Sequence, residues 1–283
     1  MILADLKLLF KNKLLNIYPP EEINSFFTLC CEYYLKLDKI RIHSDQNYLL
    51  SEQQIHQITH VLNELEREVP IQYILGETSF YGLVLNVNKH VLIPRPETEF
   101  LVDIIIKKER FPNLRILDIG TGSGCIALTL ANNLKLSLVT AIDISEEALE
   151  VAIENAKINM INNVQFIKDN ILKPLKLQQK FDIIVSNPPY VCESEKKDMK
   201  KNVLLYEPHQ ALFVKDANPL RYYDAILRYA ASGLKTHGRL YFEINENYGE
   251  QLMVLLKKYN YEDIELLIDL NGRNRYIHCE KEV

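Results

Sequence analysis

Asn187-Pro188-Pro189-Tyr190 sets a planar amide, two residues without a backbone N–H and an aromatic ring directly after the apolar run Phe181-Asp182-Ile183-Ile184-Val185-Ser186. Proline cannot donate to a strand ladder, so this is a poor way to continue a strand. It is a good way to grip a small planar nitrogen group. The nitrogen of an amide or an exocyclic amine is a weak nucleophile, because its lone pair is delocalised. Two acceptors can turn that lone pair toward an electrophile by taking its two N–H bonds: the Asn187 side-chain oxygen and the Pro188 backbone carbonyl. Pro188 and Pro189 hold φ and offer no competing donor, and Tyr190 supplies a flat wall. Outside such a setting, Asn-Pro-Pro is an ordinary turn.

A second stretch indicates the electrophile. Gly120-Thr121-Gly122-Ser123-Gly124 follows Leu117-Asp118-Ile119 and precedes Cys125. Three glycines let a backbone turn tightly and let a ligand approach closely. A dinucleotide cradle wants its third small residue five positions after the first glycine. Here Gly124 comes four after Gly120 and position 125 is Cys, so the loop resembles the G-x-G-x-G loop of S-adenosylmethionine enzymes more than a pyrophosphate cradle. Asp143 ends the run Val139-Thr140-Ala141-Ile142, where a carboxylate can accept from both ribose hydroxyls. That role serves a nicotinamide cofactor equally well, and an N-cap for the following helix is its plain alternative, although Ser145 is the better cap. Asp169-Asn170 ends the next apolar run and is either an adenine contact or a turn pair. A methyl donor beside Asn187 makes an amino-group methyltransferase site, in which positioning is worth up to roughly 7–11 kcal/mol without metal or strong base.

These loops need a scaffold. From residue 114 the chain alternates strand and helix patterns. Strands are expected at 114–118, 138–142, 164–167, 181–185, 239–244, 264–267 and 276–279, with helices at 123–131, 146–159, 219–231 and 248–258. Short connections imply an α/β fold, a Rossmann-like seven-stranded and mostly parallel sheet covered by helices. Residues 269–275 are too few for a parallel crossover, so the last strand should be antiparallel. Residues 1–75 contain no glycine and read as a small helical domain, with Ser51 and Gln54 as a capping box. Residues 76–90 read as a hairpin linker and 91–283 as the catalytic domain, opened by Pro94-Arg95-Pro96 and a helix over 97–108.

Composition narrows the class. The 283 residues are 47% hydrophobic and 25% charged, with net charge -5, an ordinary globular balance that disfavours broad nucleic-acid binding. The five cysteines form no CxxC pair, so neither zinc nor a disulfide frame is suggested, and no metal site is expected. Scattered thiols fit a reducing cytosol. No run is long enough to span a membrane, and the opening segment lacks signal-peptide character.

Four stretches together resemble the bacterial peptide-chain-release-factor glutamine methyltransferases, the HemK/PrmC family. They are Pro70 to Gly76, Val91-Leu92-Ile93-Pro94-Arg95-Pro96-Glu97-Thr98-Glu99, Leu117 to Leu128, and Phe181 to Val191. Fainter likenesses follow at Glu207-Pro208, Phe242-Glu243-Ile244 and 269–273. The resemblance implies a class I S-adenosylmethionine-dependent methyltransferase acting on the glutamine side chain (N5) of the Gly-Gly-Gln loop of release factors. It implies that Gly120, Thr121, Gly122, Ser123, Gly124 and Asp143 hold the donor, with Asp169 or Asn170 near the adenine. Asn187, Pro188, Pro189 and Tyr190 would hold the glutamine, Asn187 and Pro188 being the catalytic pair and Asn187 also touching the donor. The helical domain would help dock the release factor. A cytoplasmic monomer with no direct nucleic-acid or membrane partner is expected. Asn170, Thr236-His237 and Asn245 stand where the family has an apolar residue, Pro-Gly and glycine, and none is expected to touch the catalytic group. A related enzyme acting on a ribosomal protein usually carries Pro-Arg-Ser-Pro where this chain has Pro94 to Glu99. An adenine or guanine methyltransferase would want a basic or aromatic nucleic-acid surface, which the first 75 residues lack.

Overall fold

The computed structural model describes residues 1–109, 111–175 and 179–282; Val283, the end of the expected catalytic domain, lies outside them. The chain divides into two compact units, Met1–Gly76 with Lys200–Tyr206, and Glu77–Met199 with Glu207–Val283.

The first unit is helical: α1 (Leu3–Leu14), α2 (Pro20–Cys30), α3 (Lys39–Ser44), α4 (Glu52–Glu66) and α5 (Ile71–Leu75). Leu3, Leu6, Phe10 and Leu14 recur at helical spacing and are buried with Ile58, Val61, Leu62 and Leu65 of α4. α4 starts at the expected capping box, with Gln54 N donating to Ser51 Oγ and Ser51 N to Gln54 Oε1. A distant segment, Lys201–Tyr206, also belongs to this unit, where the Tyr206 hydroxyl donates to the Arg67 carbonyl at 2.7 Å. A division into consecutive domains does not contain that insertion.

The second unit opens with β1 (Glu77–Phe80) and β2 (Leu83–Asn86), then α6 (Pro96–Lys108), β3 (Arg115–Ile119), α7 (Cys125–Asn133), β4 (Leu138–Asp143), α8 (Glu146–Ile158), β5 (Val164–Lys168) and β6 (Phe181–Ser186). After β7 (Val191–Cys192) come α9 (Lys201–Tyr206), which is the insertion above, α10 (His209–Leu212), β8 (Phe213–Val214), α11 (Arg221–Gly233), β9 (Leu234–Glu243), α12 (Gly249–Lys258), β10 (Tyr261–Ile268) and β11 (Asn274–Lys281). Seven strands form one sheet in the order β10-β11-β9-β6-β3-β4-β5. β11 is antiparallel to both neighbours and the other pairings are parallel, as the short 269–275 connection requires. No element is expected from sequence at 191–218, because two-residue strands and single helical turns carry no readable period.

The chain leaves β3 toward β4 and β5, then returns to add β6 on the other side of β3. Ligands bind beyond the carboxyl ends of strands at such a reversal. In the β3–β6 register Ile119 pairs with Ser186, so the glycine loop and Asn187 start side by side. The Ser186 hydroxyl donates to the Ile119 carbonyl at 2.7 Å, tying the two strand ends.

The β1–β2 hairpin turns on Tyr81 and Gly82, both at positive φ, the geometry that matches strand twist. It belongs to the second unit rather than spanning between units. Buried Asn155 of α8 binds both the N–H and the carbonyl of Asn86 and also the Ser123 carbonyl. Asn155→Ala leaves three polar groups without that partner and should cost about 2 kcal/mol. The expected result is a thermal midpoint lower by roughly 5 °C; an unchanged midpoint would remove Asn155 as the tie. His237 sits at φ 58, a left-handed conformation that costs any residue with a Cβ.

Candidate active site

A cavity of about 360 Å³ lies past the ends of β3, β4 and β6, within the size range of small-molecule sites. Gly120, Gly122, Asp143, Asp169, Asn170, Asn187, Pro188 and Pro189 all line it. Thr121, Ser123, Gly124 and Tyr190 do not.

Gly120 and Gly122 have φ of +75 and +55, and a Cβ added to either would project into open space. Side-chain-free backbone thus faces the cavity. Gly124, at φ +83, meets Leu128 and Ala152 at 3.1 and 3.2 Å from a would-be Cβ, so it starts α7 and permits close packing. Asp143 accepts from Gly122 N at 2.8 Å through one oxygen and from Ser145 N at 2.9 Å through the other. Each oxygen keeps a second lone pair for a hydroxyl. Burial pushes the Asp143 carboxyl up, against the pull of these backbone donors. Ser145, not Asp143, caps α8.

Beneath the loop lies a carboxylate to which the sequence assigned no role. Asp118 is fully buried, and its Oδ2 accepts from the Thr121 hydroxyl at 2.6 Å. Its Oδ1 and the Ser123 hydroxyl have no partner among the described residues. Burial pushes the Asp118 carboxyl up to about 7. Its signal was its place inside the stretch Leu117 to Leu128. Asp169 spends its carboxylate on its own loop, accepting from Asn170 N and Leu175 N, and Asn170 accepts from Leu172 N. Both still face the cavity.

At the other end, the Asn187 Nδ2 donates to Thr98 Oγ1 at 3.1 Å. Thr98, on the first turn of α6, donates to Glu243 at the end of β9 at 2.7 Å, and the Tyr190 hydroxyl donates to the same carboxylate at 3.0 Å. Tyr190 is thus held from behind the tetrapeptide. Asn245 Nδ2 donates to the Tyr190 carbonyl at 3.1 Å and to Glu195 at 2.9 Å. This departure from the family therefore does reach the tetrapeptide, contrary to expectation. One rim of the cavity comes from Lys89 to Leu92 and another from Pro208, Gln210 and Ala211. They are tied by Arg95, which pairs with buried Glu207 at 2.5 Å, while Ile93 N donates to the other Glu207 oxygen.

A sheet of this order, with a glycine loop and an acidic strand end at its switch point, defines a Rossmann-like, S-adenosylmethionine-dependent methyltransferase domain. A family model described as a methyltransferase domain matches residues 110–262, and a model described as the PrmC N-terminal domain matches 14–76. The release factor glutamine methyltransferase of Flavobacterium psychrophilum is 46% identical over 281 residues, covering 98% of each chain. That of Bacteroides thetaiotaomicron is 41% identical over 272 residues, covering 96% of this chain and 97% of its own. The chain belongs to the release factor glutamine methyltransferase family. A solved ribosomal protein L11 methylase from Lactobacillus delbrueckii subsp. bulgaricus shares the fold, with TM-score 0.52 and 22% identity over 70% of this chain and 84% of that one.

S-adenosylmethionine is the methyl donor of this domain. The residues present fit it: open glycine backbone at Gly120 and Gly122 and hydroxyl acceptors on Asp143, all lining the cavity. Among the described residues, no helix is long and apolar enough to cross a membrane, and no cluster of three His, Cys, Asp or Glu could hold a metal.

Proposed function

We propose that this chain methylates the side-chain amide nitrogen (N5) of the glutamine in the Gly-Gly-Gln loop of peptide chain release factors, using S-adenosylmethionine. The observation that carries this reading is the Asn187 side chain, which lines the cavity and keeps Nδ2 engaged with Thr98. That leaves Oδ1 to accept from a substrate N–H. When bound, the donor supplies a methyl group on a positively charged sulfur. Asp143 takes the ribose hydroxyls and the Gly120–Gly124 backbone makes room for the donor, with Asp169 and Asn170 toward the adenine. Asn187 Oδ1 and the Pro188 carbonyl accept the two N–H bonds of the glutamine amide and turn its lone pair toward the methyl. Pro188 and Pro189 form a donor-free floor, and Tyr190 braces it. The nitrogen gains a carbon and releases one proton to solvent, so no strong base is required.

The finer setting belongs to the same proposal: a monomer in the cytosol, with a protein substrate and no direct nucleic-acid partner. Net charge -5 and five free cysteines support it. The test is incubation with labelled donor, a release factor and its Gly-Gly-Gln variant carrying Gln→Ala. Label confined to the glutamine-bearing factor is expected, and equal labelling of both would sink the proposal.

A further inference from the structure

The Asn187 amide has nearly the same shape either way round, yet only one orientation is useful. With oxygen toward the cavity it can accept from a substrate N–H; with the NH₂ there it would oppose one. Proton bookkeeping in the buried chain behind it settles the orientation. Thr98 is 2% exposed and Glu243 is 1% exposed. A hydroxyl has a single proton, and a carboxylate can only accept. Thr98 gives its proton to Glu243 at 2.7 Å, so its oxygen is left as an acceptor. The group of Asn187 facing Thr98 must then be the NH₂, as the 3.1 Å contact has it. Glu243 takes the Tyr190 hydroxyl with its other oxygen at 3.0 Å, holding both ends of the tetrapeptide from one point. Burial pushes the Glu243 carboxyl up, against the pull of the two hydroxyl donors and nearby Arg275.

We propose that Thr98 and Glu243 are positioning residues that set the orientation of the Asn187 amide, a role that rests on Asn187 holding the substrate amide. Neither lines the cavity, so neither touches substrate or donor. Their α6 and β9 positions lie 145 residues apart.

The test compares Thr98→Val, Thr98→Ser and Glu243→Gln in the full-length protein. Turnover of a release factor is measured with labelled donor, and donor affinity by calorimetry. Thr98→Val keeps shape and loses the relay; the expected result is kcat lower by roughly 10- to 100-fold, with donor affinity and the KM for the release factor within about twofold. Thr98→Ser should restore most of kcat. Glu243→Gln can reverse the relay by turning its NH₂ toward Thr98, and should likewise lower kcat more than it raises KM. In an Asn187→Ala background, Thr98→Val should add less than about twofold, because both act through one group. Retained donor binding reports that each variant is folded, and Glu243→Gln serves if Thr98→Val is not. Wild-type kcat in Thr98→Val and Glu243→Gln, or a full additional loss on top of Asn187→Ala, overturns the positioning role while the methylation reading stands. Normal turnover in Asn187→Ala alone overturns both.

Discussion

Replacing Asn187 by alanine should lower turnover by roughly 10²–10³-fold, the effect of deleting one preorganised hydrogen bond to the reacting group. The amide nitrogen attacks only after its lone pair leaves conjugation with the carbonyl. In the proposed mechanism two acceptors enforce that geometry, and alanine leaves only the Pro188 carbonyl. The variant should still fold, because Asn187 is a partly exposed residue at the cavity edge whose side chain, among the described residues, bonds to Thr98. Donor affinity should survive, since Asp143 and the glycine loop are untouched. The measurement is single-turnover labelling of a release factor at saturating donor, paired with calorimetric titration of the donor. Near-normal turnover would remove Asn187 from the mechanism.

Asp143→Ala should act on the other half of the site and weaken donor binding by about 10²-fold. Two ribose hydroxyls lose a charged acceptor, and hydrogen bonds to charged groups are worth roughly 1.5–3 kcal/mol each. Part of the loss is indirect: Gly122 N and Ser145 N are left without the oxygens they now use, which loosens the glycine loop itself. Asp143→Asn separates the two contributions, because it keeps one acceptor for the loop and lowers the charge presented to the ribose. An intermediate affinity is expected for it. Affinity unchanged in the alanine variant would rule out ribose recognition by Asp143.

Much of the scaffold was legible because its signals are local. The alternation from residue 114 onward predicted all seven strands of the sheet, and the seven-residue connection before β11 predicted its direction. Helix starts were readable where a cap lies next to its helix, as at Ser51 and Ser145. The stretch 191–218 was not readable, because two-residue strands and a helix that joins the other unit leave no period in the sequence. Gly120, Gly122, Asp143 and Asn187 were singled out by residue type at strand ends, and all four line the cavity. Gly124 was singled out by spacing alone, and the structure places it against Leu128 and Ala152 instead of at the cavity.

Residue types and spacing pointed to a methyl-donor loop and a nitrogen grip, each written within a dozen consecutive residues, and the strand and helix alternation from residue 114 pointed to a mostly parallel sheet. Tertiary structure alone decided which groups stand behind them. Glu207 reaches Arg95 across 112 residues of chain, Asn155 reaches Asn86 across 69, and Glu243 reaches Thr98 across 145. No local propensity encodes such partners. Glu243 comes up behind the tetrapeptide because strand order puts β6 between β3 and β9, and because register sets Ile119 beside Ser186 and Ser186 beside Phe242. Asn187 is identifiable as an amide from the sequence, but the way round it faces the cavity depends on one buried carboxylate brought there by the sheet.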